Sequence, residues 1–98
     1  MIDNLEELKA VETNTPILIK WLDSMGYSGW ASPESHKNSM GADGVAEMTH
    51  YTLGFLFLVD DDRVAVAQSR HATSRSVDNV MAIPLVAVLS WTLRVSDA

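Results

Sequence analysis

Apolar and polar positions divide the chain into one short amphipathic stripe and a series of strand-like runs. At the N-terminus Ile2, Leu5, Leu8 and Val11 fall on one side of a helix over residues 3–11, with Asp3 at the N-cap, Glu6 three positions later and Ile2 placed to staple over the cap. Thr15-Pro16 ends that pattern, and Ile17-Leu18-Ile19-Lys20-Trp21-Leu22 reads as a strand over 17–23. A run from Thr49 to Val59, the polar break Asp60-Asp61-Asp62, and a second run from Arg63 to Ser69 predict a hairpin with its tip at the three aspartates. Further strands are expected over 77–83 and 89–95, separated by Pro84, which has no N–H to donate, and a helical turn at Leu85–Val88.

Residues 24–48 fit none of these patterns. They hold Gly26, Gly29, Gly41, Gly44 and Pro33 and read as an ordered loop, pinned to the core by Tyr27 and Trp30. Residues 70–76, polar throughout, read as a turn.

The first hairpin arm is apolar on both sides, whereas a half-covered strand alternates. Leu53, Phe55, Phe57 and Val59 are assigned to the core, leaving Gly54, Leu56 and Leu58 on the other face. A leucine in water forfeits roughly 1.5 to 3 kcal/mol of burial. A homodimer or larger closed assembly is therefore expected, with Leu5, Leu8, Leu56, Leu58 and Leu85 at the self-association surface or beneath the helix.

The order Trp21-Leu22-Asp23-Ser24, Gly29-Trp30, Tyr51-Thr52-Leu53-Gly54-Phe55-Leu56, Asp60-Asp61-Asp62-Arg63-Val64 and Ile83-Pro84 resembles a pattern in small proteins of phages and mobile elements, including those of integron gene cassettes. The resemblance spans residues 17–95 and implies a fold and a genomic setting; it supplies no catalytic residues. The implied strand order is similar to that of small SH3-like barrels. One domain over 1–98 is expected: a mainly β (α+β) fold of about five strands, either a strongly bent antiparallel sheet or an SH3-like barrel, with the N-terminal helix added.

Composition narrows function by exclusion. The 98 residues contain no cysteine, which removes disulfides, thiol catalysis and cysteine-based zinc sites and suits a reducing cytoplasm. Thirteen acids against seven bases give a net charge of −6, which opposes general affinity for nucleic acid or anionic membrane. The acidic N-terminus lacks the order of a signal peptide, and the apolar tract from Met81 to Leu93 is shorter than the ~20 residues of a spanning helix. A cytoplasmic protein is expected.

Candidate chemistry is thin. Asp60-Asp61-Asp62 offers carboxylates to a hard cation but lacks the spacing of an EF-hand, and a solvated hairpin tip explains it as well. His36, His50 and His71 match no zinc spacing, and no nucleophile elbow surrounds Ser69, which could be drawn into a triad with His71 and Asp78. No metal, cofactor or catalytic residue is assigned. Charge is uneven, however: residues 1–62 carry three lysines against eleven acids, and residues 63–98 four arginines against two. Arg70, His71 and Arg75 could receive a phosphate or a partner's carboxylates, and Tyr27 and Trp30 could face a ligand. The reading is a non-enzymatic, self-associating protein-interaction module. The alternatives are an acidic regulator mimicking DNA and a small-ligand-binding protein using residues 24–48.

Overall fold

In the computed structural model, which describes residues 4–24, 28–41 and 44–93, five strands form one antiparallel sheet. The strands are β1 (Pro16–Leu22), β2 (Thr49–Val59), β3 (Arg63–Arg70), β4 (Val77–Pro84) and β5 (Val88–Leu93), ordered β4-β3-β2-β1-β5. Helix α1 (Leu5–Lys9) precedes them, and a 3₁₀ turn at Leu85–Ala87 joins β4 to β5. The expected strands are all present. The helix is shorter than its apolar stripe: its N-cap is Asn4, whose side chain makes no capping bond, while Ile2 and Asp3 lie outside the described residues.

The long strand β2 is shared between two halves of the sheet. Its first part pairs with β1, from Thr49 opposite Leu22 to Phe55 opposite Pro16, and its second part pairs with β3, from Phe55 opposite Ala67 to Val59 opposite Val64. The sheet bends over its core, bringing the Thr52 hydroxyl within 3.7 Å of Met81 Sδ although β3 lies between their strands. It does not close into a barrel: β4 and β5 are its two edges.

The core is small. Ile17 and Ile19 from β1, Leu56 from β2, Val64 and Val66 from β3, Ile83 from β4 and Val88 from β5 form its floor, and Leu8 and Leu85 cap it. Leu5, Val11, Val59 and Trp91 pack around them. Helix α1 is held over this side by its apolar stripe, by main-chain bonds from the Asn14 N–H to the Leu56 carbonyl and from the Leu56 N–H to the Thr15 carbonyl, and by an ion pair from Lys9 to Asp61.

Two expectations are corrected. First, over residues 53–56 the faces of β2 are the reverse of those assigned from its sequence, while Leu58 and Val59 lie as assigned. Gly54 and Leu56 share the core side with Ile17 and Val66, whereas Leu53 and Phe55 lie opposite Leu18 and Ala67 on the outer side. A register shift between Leu56 and Leu58 then makes Phe57 the extra residue of a bulge, so that Leu58 turns outward opposite Ala65 and Val59 returns to the core. Gly54 fits the inner side because a Cβ there would lie 2.9 Å from the Ala67 carbonyl oxygen. Both parities of this run are apolar, so bulk alone gave no reason to prefer one.

Second, residues 24–48 are not simply a loop. Pro33–Ser39 forms helix α2 and Gly44–Met48 forms α3. Ser32 caps α2 by accepting from the Ser35 N–H at 3.1 Å, and Pro33 occupies the first turn, where its missing N–H costs nothing. This helix buries none of its residues, and Trp30, expected to pin the segment, is fully exposed. Tyr27 lies outside the described residues. With this arm added, the molecule measures 53 × 28 × 27 Å with a radius of gyration of 16.5 Å, against about 13 Å for a compact chain of 100 residues.

Candidate interaction surface

The structure disperses most of the groups that chemistry would need. His36 lies on α2, His50 stands beside Trp21 with ring centres 5.6 Å apart, and His71 opens the turn between β3 and β4. Among the described residues no polar or charged side chain is buried, and no three metal-binding side chains converge. The hairpin tip is internally satisfied. Asp60 accepts from the N–H groups of Asp62 and Arg63 at 2.8 and 2.9 Å and from Arg63 Nε at 3.1 Å. The N–H of Asp62 first, then that of Arg63 and the adjoining guanidinium, hold the Asp60 carboxyl below its ordinary range against the opposing effect of desolvation. Asp61 is engaged by Lys9, whose ammonium it stabilises above the usual lysine range.

The arginine loop divides into two roles. Arg70 and Arg75 line an open groove of about 700 Å³, with Glu12, Thr13 and Asn14 on its other wall. Arg75 and Asn14 both adopt the left-handed backbone, at φ 64° and 73°, which turns the chain sharply at each wall. Glu12 offsets one of the two guanidinium charges, and Arg70 is also drawn over the Phe55 ring at 5.6 Å, so the groove is no concentrated anion site. His71 serves the turn itself: its Nδ1 accepts from the N–H groups of Thr73 and Ser74 at 3.3 and 3.2 Å, while its main-chain N–H donates to the Ser76 carbonyl. An Nδ1 that accepts has no proton to give Asp78, so Ser69, His71 and Asp78 are not aligned as a triad.

Of the residues assigned to self-association, Leu8, Leu56 and Leu85 are buried within their own chain, and Leu5 packs beside them. For Leu56 the helix is the cover. Leu58 alone lies on the outer face, half-buried. Apolar surface left uncovered on the sheet includes Tyr51 and Leu53 on the outside of β2, where Leu53 was expected in the core, Val80 on β4, and Leu89 and Leu93 on β5. The signal for the first group was available in the alternation of β2, once its parity was known.

Comparison with protein-family models, with curated proteins and with solved structures finds no match. Among the described residues no helix is long and apolar enough to cross a membrane.

Proposed function

We propose that the protein is a self-associating interaction module, non-enzymatic in character, whose first partner is a second copy of the same chain. One observation carries this reading: the sheet is left open, with Tyr51, Leu53 and Val80 exposed on its outer face and Leu89 and Leu93 exposed along an edge strand. Single exposed apolar residues are ordinary, but here they recur on three strands of one open sheet, β2, β4 and β5, where a second layer or a further strand would complete the structure. A two-fold pairing of identical chains is the commonest way to supply it.

Sedimentation equilibrium tests the reading directly. The expected mass is twice the 10.8 kDa of one chain, or a larger closed multiple, falling towards one chain on dilution. A mass of one chain at every concentration up to the millimolar range would remove the basis of the proposal.

A further inference from the structure

We infer that the open groove between residues 12–14 and the turn of residues 70–75 binds a small mixed-charge ligand with two carboxylates and one ammonium, of the class of an acidic amino acid or the N-terminus of an acidic peptide. None of its residues is among the exposed apolar side chains on which the self-association reading rests, so the two stand or fall separately.

Three ionic side chains line the groove, Arg70 and Arg75 on one wall and Glu12 on the other. Among the described residues none of the three is in an ion pair; Lys9 and Arg63 hold those that form. The opposed charges face an opening of about 700 Å³, a size in the range of small-molecule sites. Both walls are set by the main chain. The Thr15 N–H donates to the Glu12 carbonyl at 3.3 Å and the Leu56 N–H to the Thr15 carbonyl at 3.0 Å, which ties the first wall to β2. The second is closed by the His71 N–H on the Ser76 carbonyl at 2.8 Å and by the Nδ1 contacts inside the turn. Walls ordered before a ligand arrives reduce the entropy lost on binding it.

The signs of the three charges select the ligand. A simple anion meets two guanidiniums but also the Glu12 carboxylate, on a chain whose net charge is −6. A simple cation meets one carboxylate and two like charges. A ligand with two carboxylates and one ammonium answers all three: each guanidinium fork offers paired N–H donors to a carboxylate, and Glu12 accepts from the ammonium. Thr13 and Thr73 bring hydroxyls to the two walls. Glu12, Arg70 and Arg75 are all exposed, so the contacts are screened by salt and individually weak. The dissociation constant is accordingly on the order of millimolar at low salt.

Amide shifts of the isotope-labelled chain, titrated with L-glutamate, glutarate and glutamyl-alanine at low salt, test the site. Glutarate keeps both carboxylates without the ammonium, and glutamyl-alanine spaces the same three charges further apart. Saturable shifts are expected at residues 12–14 and 70–75, with glutamate or the dipeptide bound about three- to five-fold more tightly than glutarate. Tighter binding of the dipeptide assigns the groove to peptide N-termini, and tighter binding of glutamate assigns it to the free amino acid. In E12Q the preference for the ammonium should be lost, with glutarate gaining affinity while glutamate loses it. R75Q should weaken all three ligands. Both variants change exposed side chains, and their melting should match the wild type; E12Q decides on its own if R75Q fails to fold. No saturable shift at these residues at tens of millimolar ligand overturns the proposal. So does glutarate bound as tightly as glutamate, or an unchanged preference in E12Q. A protein that is a single chain at every concentration removes the self-association reading and leaves this test intact.

Discussion

Replacing Leu56 and Leu53 by alanine, one at a time, tests which side of β2 is inside. The two residues are three positions apart on one strand, yet Leu56 is 1% exposed and Leu53 59%. Leu56→Ala removes three carbons from a core of nine side chains. At about 0.8 kcal/mol per buried carbon the transfer contribution is roughly 2.4 kcal/mol, and the cavity raises the total to about 3 to 4 kcal/mol. A chain of 98 residues has a stability of about 5 to 15 kcal/mol, so this loss takes about a fifth or more of it. The melting temperature should fall by about 12 to 32 °C, at roughly 4 to 8 °C per kcal/mol for a domain of this size. Leu53→Ala should cost no more than about 0.5 kcal/mol. Urea unfolding followed by tryptophan emission gives both values, at concentrations where sedimentation shows a single chain so that association does not contribute. If Leu53→Ala proved the more costly of the two, the assignment of inner and outer faces would be wrong.

Other outcomes follow from particular contacts. Val59→Ala should cost more than Leu58→Ala although it removes fewer carbons, because the bulge at Phe57 returns Val59 to the core and turns Leu58 out; the same unfolding assay compares them. Gly54→Ala should destabilise by about 1 to 3 kcal/mol, since its Cβ would meet main chain rather than a movable side chain. The folded-state pKa of Asp60 is lowered, so its stabilising contribution is complete above the ordinary carboxylate range near ~4 and is lost as pH falls through the folded value; Asp60→Asn should flatten the acid side of a plot of stability against pH. His71→Ala should leave global stability within about 0.5 kcal/mol but speed hydrogen exchange at the Thr73 and Ser74 amides, which lose their acceptor.

The hairpin was legible because it is local: two strand-favouring runs flank three aspartates, and turn chemistry needs no knowledge of the rest of the chain. The Ser32-Pro33 start of α2 was equally local, but the helix that follows is polar on every side and offers no periodicity to confirm it. The faces of β2 were not legible. Alternation tells a strand's inside from its outside only when one side is polar, and a bulge leaves no mark in composition. Nor could the sequence place Arg70 and Arg75 across from Glu12, a meeting of segments nearly sixty residues apart. The arginines were readable as a basic loop; the opposing carboxylate that weakens their pull on anions was not.

The connection from β4 to β5 explains why one end of the β5 edge is free and the other is not. These strands lie at opposite edges of the sheet, yet only the three residues of the Leu85–Ala87 turn separate them. Four Cα steps reach at most about 14 Å, so the two edges must converge at that corner. Burial of Leu85 and Val88 there, under the Leu85 N–H to Asp62 carbonyl bond, is the result. From that corner β4 and β5 run in directions fixed by different partners, β3 and β1, and no pairing forms between them. Closing the gap would take another strand, and the 26 residues between β1 and β2 instead carry the arm with α2 and α3. Among the described residues the Leu93 end of β5 is thus left without a second neighbouring strand by connectivity, because the chain's own turn holds the two edges together only at the Leu85 corner.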